Sequence, residues 1–269
     1  MEKKNIILVG VCGGMGQATA EILIKDGYNV FGIDYNSTCD IKNLKYFQAD
    51  ITDTNQIEKV FSKITKEISN VYAIIHMAGI YFMDSLVEMS EERFIKIFDI
   101  NVFGIYRINK IFMPLLSNGS RIIITSSEVA PLDPLPFNGI YSITKITIEK
   151  YAYSLRMELN LLSIKVSILR PGAVKTKMLG SSTSELDNFC QNTQIYKETS
   201  KEFKNIVNKI EAKNIQPEKI ANKIEKILST KNPKYIYKIN RNKLLLIFNA
   251  LPAKLQVWLI KKLLSKKQG

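Results

Sequence analysis

Gly10-Val11-Cys12-Gly13-Gly14-Met15-Gly16 is the stretch that decides how this chain folds. It follows Asn5-Ile6-Ile7-Leu8-Val9, a β-branched run with the composition of a buried strand, and leads into a helical pattern over residues 16–26. Glycine lets the chain turn tightly and lets a pyrophosphate approach the backbone. The start of the helix then offers free N–H groups and a favourable dipole. The spacing is Gly-x-x-x-Gly-x-Gly. A glycine cluster alone also suits a structural turn, and it is the position between first strand and first helix that points to a phosphate cradle. Gly10, Gly14, Met15 and Gly16 are its candidate residues.

Outward from this loop the same rhythm continues. Residues 30–33, 46–49, 71–77, 121–125 and 165–169 read as further strands. Helical patterns cover 55–68, 91–116 and 142–162, with Asp53 and Ser90 as N-caps of two of them. Strands alternating with helices predict an α/β fold, a Rossmann-like doubly wound parallel sheet in a single domain. Residues 177–200 are rich in Ser, Thr, Asn and Gln and show no clear period, so they read as a long loop. Helices are expected at 201–212 and at Pro217–Ser229, where Pro217 suits a first turn. The expected organisation is a dinucleotide-binding domain over 1–237, including a substrate lid at about 177–212, and a basic, apolar, helical C-terminal extension over 238–269.

Asp34 ends the second strand in Phe31-Gly32-Ile33-Asp34. A carboxylate there accepts hydrogen bonds from the adenine ribose hydroxyls and repels a 2′-phosphate. Tyr35 and Asn36 follow it, with no adjacent base, which favours NAD over NADP. Asp50 and Ile51 follow the third strand, where they can meet the adenine edge; a turn aspartate before Asp53 is the other reading of Asp50.

Tyr141 and Lys145 lie four apart at the start of a helix and so share a face. A free phenol, with a pKa near ~10, is a poor base at neutral pH. A neighbouring ammonium favours the phenolate, and the tyrosine can then exchange a proton with an alcohol as hydride moves. Ser126-Ser127 closes the fifth strand, on the sheet edge where ligands of such folds sit.

These motifs resemble the short-chain dehydrogenase/reductase family over roughly residues 5 to 176. Gly10, Gly14 and Gly16 match its glycine pattern, and His76-Met77-Ala78-Gly79 matches its Asn-Ala-Gly segment. Asn101, Ser127, Tyr141 and Lys145 match its catalytic set, and Pro171-Gly172-Ala173-Val174-Lys175-Thr176 its Pro-Gly-x-Val-x-Thr segment. The resemblance implies Tyr141 as acid/base. It implies that Lys145 lowers the pKa of Tyr141 and binds the nicotinamide ribose, and that Ser127 orients the substrate oxygen. Asn101 would hold a water of a proton relay by bending its helix, and Val174 and Thr176 would bind the carboxamide. Val9 stands where the family has threonine, and His76-Met77 where it has Asn-Asn. The interval from Ser127 to Tyr141 is one residue longer than usual, which leaves Ser126 open as the alternative serine.

Composition narrows the other classes. Cys12, Cys39 and Cys190 are far apart, and His76 is the single histidine, so neither a disulfide framework nor a metal cluster is indicated. His76 reads as a structural histidine. Of the net charge of +13, the excess lies in the tail: eight Lys or Arg and no acid from Lys238 onward, so no nucleic-acid surface is expected. A small-molecule alcohol or carbonyl substrate, a homo-oligomer and a cytoplasmic location are expected. A catalytically silent NAD-binding scaffold is the competing class, opposed by the complete catalytic set. A nucleotide-sugar epimerase or dehydratase would carry Gly-x-x-Gly-x-x-Gly and a larger C-terminal domain, and neither is visible.

Met178, Leu179, Leu186, Phe189, Ile195, Leu135 and Phe137 would line an apolar pocket for a steroid-, retinoid- or lipid-like substrate, or else pack on one another. The tail combines Leu244-Leu245-Leu246-Ile247-Phe248 with Trp258 and lysines out to Lys267. It suits a peripheral contact at an inner membrane surface or a cover over the substrate mouth; packing as C-terminal helices is the rival reading.

Overall fold

The computed structural model describes residues 3–209 and 213–265. Seven parallel strands form one sheet in the order β3-β2-β1-β4-β5-β6-β7. They are β1 (Asn5–Val9), β2 (Asn29–Asp34), β3 (Lys45–Gln48), β4 (Val71–His76), β5 (Leu116–Thr125), β6 (Lys165–Pro171) and β7 (Ile236–Ile239). The order reverses between β1 and β4, which opens a crevice at the carboxyl ends of the strands.

Successive side chains of a strand point to opposite faces, and both faces are covered. Ile7 and Val9 of β1 enter one core with Ile57 and Ile64 of α2 (Thr54–Ile64), Ile105 and Phe112 of α4 (Gly104–Phe112), and Ile148 of α5 (Gly139–Asn160). Ile6 and Leu8 enter the other, with Ala20 and Leu23 of α1 (Gly14–Lys25) and Ile220, Ile224 and Ile227 of α8 (Pro217–Ser229). The caps form as expected: Asp53 accepts from the backbone N–H of Asn55 and Gln56, and Ser90 from that of Arg93.

Three elements differ from the sequence reading. The expected helix over 91–116 is broken into α3 (Glu91–Phe98), a π-helical turn (Asp99–Phe103), α4 and a 3-10 turn (Met113–Leu115). Residues 177–200, expected as a loop, are largely helical, as α6 (Lys177–Asn192) and the start of α7 (Lys197–Lys209). Polar composition hid the period there. The hydroxyls of Ser181, Ser182 and Ser184 bond back to carbonyls of their own helix, while Leu186 buries with Met83 and Phe203, and Phe189 packs on Phe137. Residues 210–212, the end of an expected helix, lie outside the described residues. β7 was not foreseen because three half-buried residues and an exposed lysine at a sheet edge carry little signal; it runs across residue 237, so the C-terminal extension leaves the sheet only after Ile239.

The extension forms two helices, α9 (Lys243–Asn249) and α10 (Ala253–Leu264). Ile260 and Leu264 pack into a small core with Leu186 and Phe203. Lys266 and Lys267 lie outside the described residues. No described helix is long and apolar enough to cross a membrane.

Candidate active site

Register brings the loops after four strands to one place. Val9 of β1 pairs with His76 of β4, His76 with Ile124 of β5, and Thr125 with Leu169 of β6. The segments that follow converge on a cleft lined by Met15, Ala78, Gly79, Ser127, Pro171, Gly172, Val174 and Thr176. Tyr141 and Lys145 enter from the first turns of α5, and Met178 and Leu179 from α6.

Tyr141 and Lys145 are both buried in electrostatic terms. Burial pushes the Tyr141 phenol up to about 12, relieved in part by the nearby Ser127 hydroxyl. Burial pushes Lys145 down to about 8, opposed by Glu149. The Lys145 ammonium lies 5.6 Å from the Tyr141 ring centroid and donates to the Thr125 carbonyl at 3.3 Å. The net shift of the Tyr141 phenol in the protein alone is upward, whereas the resemblance implies that Lys145 lowers it. Loss of hydration is the larger cause, because the phenol is drawn into a low-dielectric pocket.

The two serines differ in their partners. Ser127 Oγ accepts from the Val129 N–H at 3.4 Å, whereas Ser126 Oγ is buried without a hydrogen-bond partner among the described residues, as is Thr125 Oγ1. Asn101 stands behind the cleft. Its Oδ1 accepts from Ile80 N–H at 2.8 Å, and its Nδ2 donates to the Ile80 carbonyl at 2.9 Å and to Thr144 Oγ1 at 3.2 Å. It sits within the π-helical turn, a local widening that aims a side chain inward. Thr144 in turn donates to the Tyr141 carbonyl at 2.7 Å, so Asn101 and the first turn of α5 are linked.

The glycine loop fits a dinucleotide. A Cβ on Gly10, whose φ is +84°, would lie 2.3 Å from Ala78 N, and one on Gly16 would lie 2.1 Å from the Gly10 carbonyl oxygen. These two glycines are demanded by packing. A Cβ on Gly13 would meet nothing closer than 3.5 Å, whereas one on Gly14 would meet the Thr176 methyl at 3.0 Å, so Gly14 lies close against the Pro171–Thr176 segment. Asp34 is buried; its carboxylate accepts from Cys12 N–H at 2.9 Å and from Asn36 Nδ2 at 2.8 Å, which braces the loop and leaves acceptor capacity for a hydroxyl. Asp50 lies outside the cleft and accepts from both the N–H and the hydroxyl of Thr52 at 2.8 Å. Ile51 is buried against Gly104, whose absent side chain makes room for it.

Several side chains were not foreseen. The Tyr81 ring lies 4.9 Å from that of Tyr141, tilted by 60°. Glu128 lines the cleft with a carboxyl raised by burial and accepts from Asn242 N–H at 2.5 Å. Neither belongs to a local pattern that would single it out in the sequence. Of the expected apolar lining, Met178 and Leu179 face the cleft. Leu186, Phe189 and Phe137 instead pack on one another, Leu135 is half-buried outside the cleft, and Ile195 is exposed. His76 is buried, paired with Asn109 Oδ1 at 2.8 Å, and held down to about 4 by burial, which bears out its structural reading. Among the described residues no cluster of His, Cys, Asp or Glu could hold a metal ion.

Comparison with known proteins places these features in context. The family model described as short chain dehydrogenase matches residues 4–187. A 3-ketodihydrosphingosine reductase of Bacteroides thetaiotaomicron is 25% identical, over 89% of this chain and 88% of its own. Estradiol 17-beta-dehydrogenase 2 of Mus musculus is 28% identical over 67% of this chain, which spans about half, 51%, of that relative's length. A crystal structure of a short chain dehydrogenase family protein from Francisella tularensis subsp. tularensis SCHU S4 superposes with a TM-score of 0.73 at 24% identity, covering 88% of this chain and 97% of that one, a likeness of fold.

Proposed function

The chain belongs to the short-chain dehydrogenase family, and from that premise we propose that it moves a hydride between NAD(H) and the alcohol or carbonyl carbon of an apolar, steroid-, retinoid- or lipid-like substrate. The observation that carries this reading is the meeting of Ser127, Tyr141 and Lys145 in one cleft beside the glycine loop. Gly14, Met15 and the N-terminus of α1 would hold the pyrophosphate, Asp34 the adenine ribose, and Asp50 and Ile51 the adenine edge. Lys145 would hold the nicotinamide ribose, Val174 and Thr176 the carboxamide, with Ala78, Gly79, Pro171 and Gly172 walling the ring. The bound dinucleotide supplies the hydride chemistry.

The chain's own residues handle the proton. In reduction, the neutral Tyr141 phenol gives its proton to the substrate oxygen as that oxygen gains negative charge; in oxidation the Tyr141 phenolate takes the proton from the alcohol. Ser127 orients the same oxygen. Lys145, poised near neutrality, offers an ammonium that stabilises the phenolate once Tyr141 has given up its proton. Asn101 holds the Ile80 segment and, through Thr144, the turn that carries Tyr141. The relatives' names, a sphingoid ketone reductase and an estradiol dehydrogenase, support an apolar substrate class, as do Met178 and Leu179 at the cleft.

The test is a panel of apolar alcohols and ketones followed by NADH absorbance, with Tyr141→Phe as control. We expect turnover to fall by roughly 100-fold or more in the variant, with dinucleotide binding by fluorescence nearly unchanged, since only the proton-carrying hydroxyl is deleted. Near-normal turnover in Tyr141→Phe would overturn the reading.

A further inference from the structure

We propose that α9 and α10 form a docking surface for an anionic lipid bilayer. α10 has two unlike sides. Gln256, Ile260 and Leu264, four apart, face the protein: Gln256 Nε2 donates to the Leu251 carbonyl at 2.9 Å, and Ile260 and Leu264 join the small core with Leu186. On the other side Trp258 is 52% exposed. Lys254, Lys261 and Lys262 lie three or four residues from it and share its face, and Lys262 Nζ stands 4.9 Å from its ring centroid. Leu255 and Val257 are also exposed, and on α9 so are Leu244 and Ile247, at 60% and 65%.

Charge selects the occupant. From residue 238 to the end the chain carries eight basic residues and no acid, and Lys243, Lys254, Lys261 and Lys262 pair with no carboxylate among the described residues. A second copy docking through the same face would set lysines against lysines. A polyanion without apolar groups would leave Leu244, Ile247 and Val257 in water. A bilayer with anionic headgroups satisfies both kinds of group: tryptophan and leucine enter the headgroup boundary and the lysines meet phosphate. Neither helix is long and apolar enough to cross, so the contact is superficial.

The surface is fastened to the candidate active site. Asn242 N–H donates to Glu128 at 2.5 Å, Asn240 Nδ2 to the Ala173 carbonyl at 2.8 Å, and Asn249 Nδ2 to Asp133 at 3.1 Å. A bilayer bound by these helices lies against the loops that shape the cleft.

Trp258 is the only tryptophan of the chain, so its fluorescence reports this surface alone. The full chain is mixed with phosphatidylcholine vesicles, with and without phosphatidylglycerol. We expect a blue shift and protection from acrylamide with the anionic vesicles only, reversed by high salt. Lys254→Gln, Lys261→Gln and Lys262→Gln combined weaken binding on the order of 100-fold. These exposed lysines leave folding intact, as the melting temperature will confirm. Leu244→Ala with Ile247→Ala is the second variant, expected to weaken binding at any salt. Unchanged emission, equal binding to neutral vesicles or unaltered binding by the lysine variant overturns the proposal. So does a blue shift that follows protein concentration without vesicles, which would assign the face to a second copy.

Discussion

Asn101 holds both backbone groups of Ile80: its side chain accepts from the Ile80 N–H at 2.8 Å and donates to the Ile80 carbonyl at 2.9 Å. The pair joins the loop after β4 to the π-helical turn, and the same amide reaches Thr144 on the helix that bears Tyr141. Three segments remote in sequence thus share one buried side chain.

Asn101→Ala removes the side-chain partner of the Ile80 N–H and of the Ile80 carbonyl. We expect a loss of roughly 1–3 kcal/mol in urea unfolding. If Asn101 also positions Tyr141, kcat falls more than KM rises; a stability loss with unchanged kcat would limit it to a structural role.

Asp34 braces the Cys12 N–H, and in the proposed function it also holds the adenine ribose. We expect wild-type kcat/KM to favour NAD(H) over NADP(H). Asp34→Ala should weaken both, by slackening the glycine loop, and weaken NAD(H) more, so the gap narrows. Wild-type preference for NADP(H) would sink the assignment.

Lys145 is held near 8 by burial, below its ordinary 10.5. Between these values the unfolded chain keeps a proton that the folded chain has lost, so the unfolding free energy rises with pH. Below about 8 both states are protonated and the folded state bears the full cost of the buried charge. Cofactor-free protein should therefore gain about 2 kcal/mol between about pH 7 and 9.5, and Lys145→Met should remove most of that gain. Parallel pH profiles of the two proteins would refute this.

His76 works in the opposite pH range. Its folded value of about 4 lies below the ordinary 6.5, so its contribution is complete above about 6.5 and is lost as pH falls through about 4. The loss amounts to ~3 kcal/mol. As the only histidine it gives one unambiguous imidazole signal in proton NMR. Titration of that signal near 6.5 in folded protein would contradict the buried pairing with Asn109.

Much of this was legible without coordinates because it is local. Alternation of periods two and 3.6, an Asp or Ser before a first turn, glycines between a strand and a helix, and Tyr141 four residues before Lys145 are all set by neighbours in the chain. The parallel sheet followed from them, as did the meeting of Ser127, Tyr141 and Lys145 in one cleft. Tertiary structure alone decided the rest. Whether residues 177–192 coil or wind into a helix depended on Leu186 finding Met83 and Phe203 and on Phe189 finding Phe137. Tyr81 meets Tyr141, and Glu128 meets Asn242, only because parallel register brings the ends of β4, β5, β6 and β7 to one edge. The direction of the Tyr141 and Lys145 shifts was likewise hidden: their spacing shows that two charges can meet, but burial determines how much water each has lost, and desolvation is a property of the packed fold.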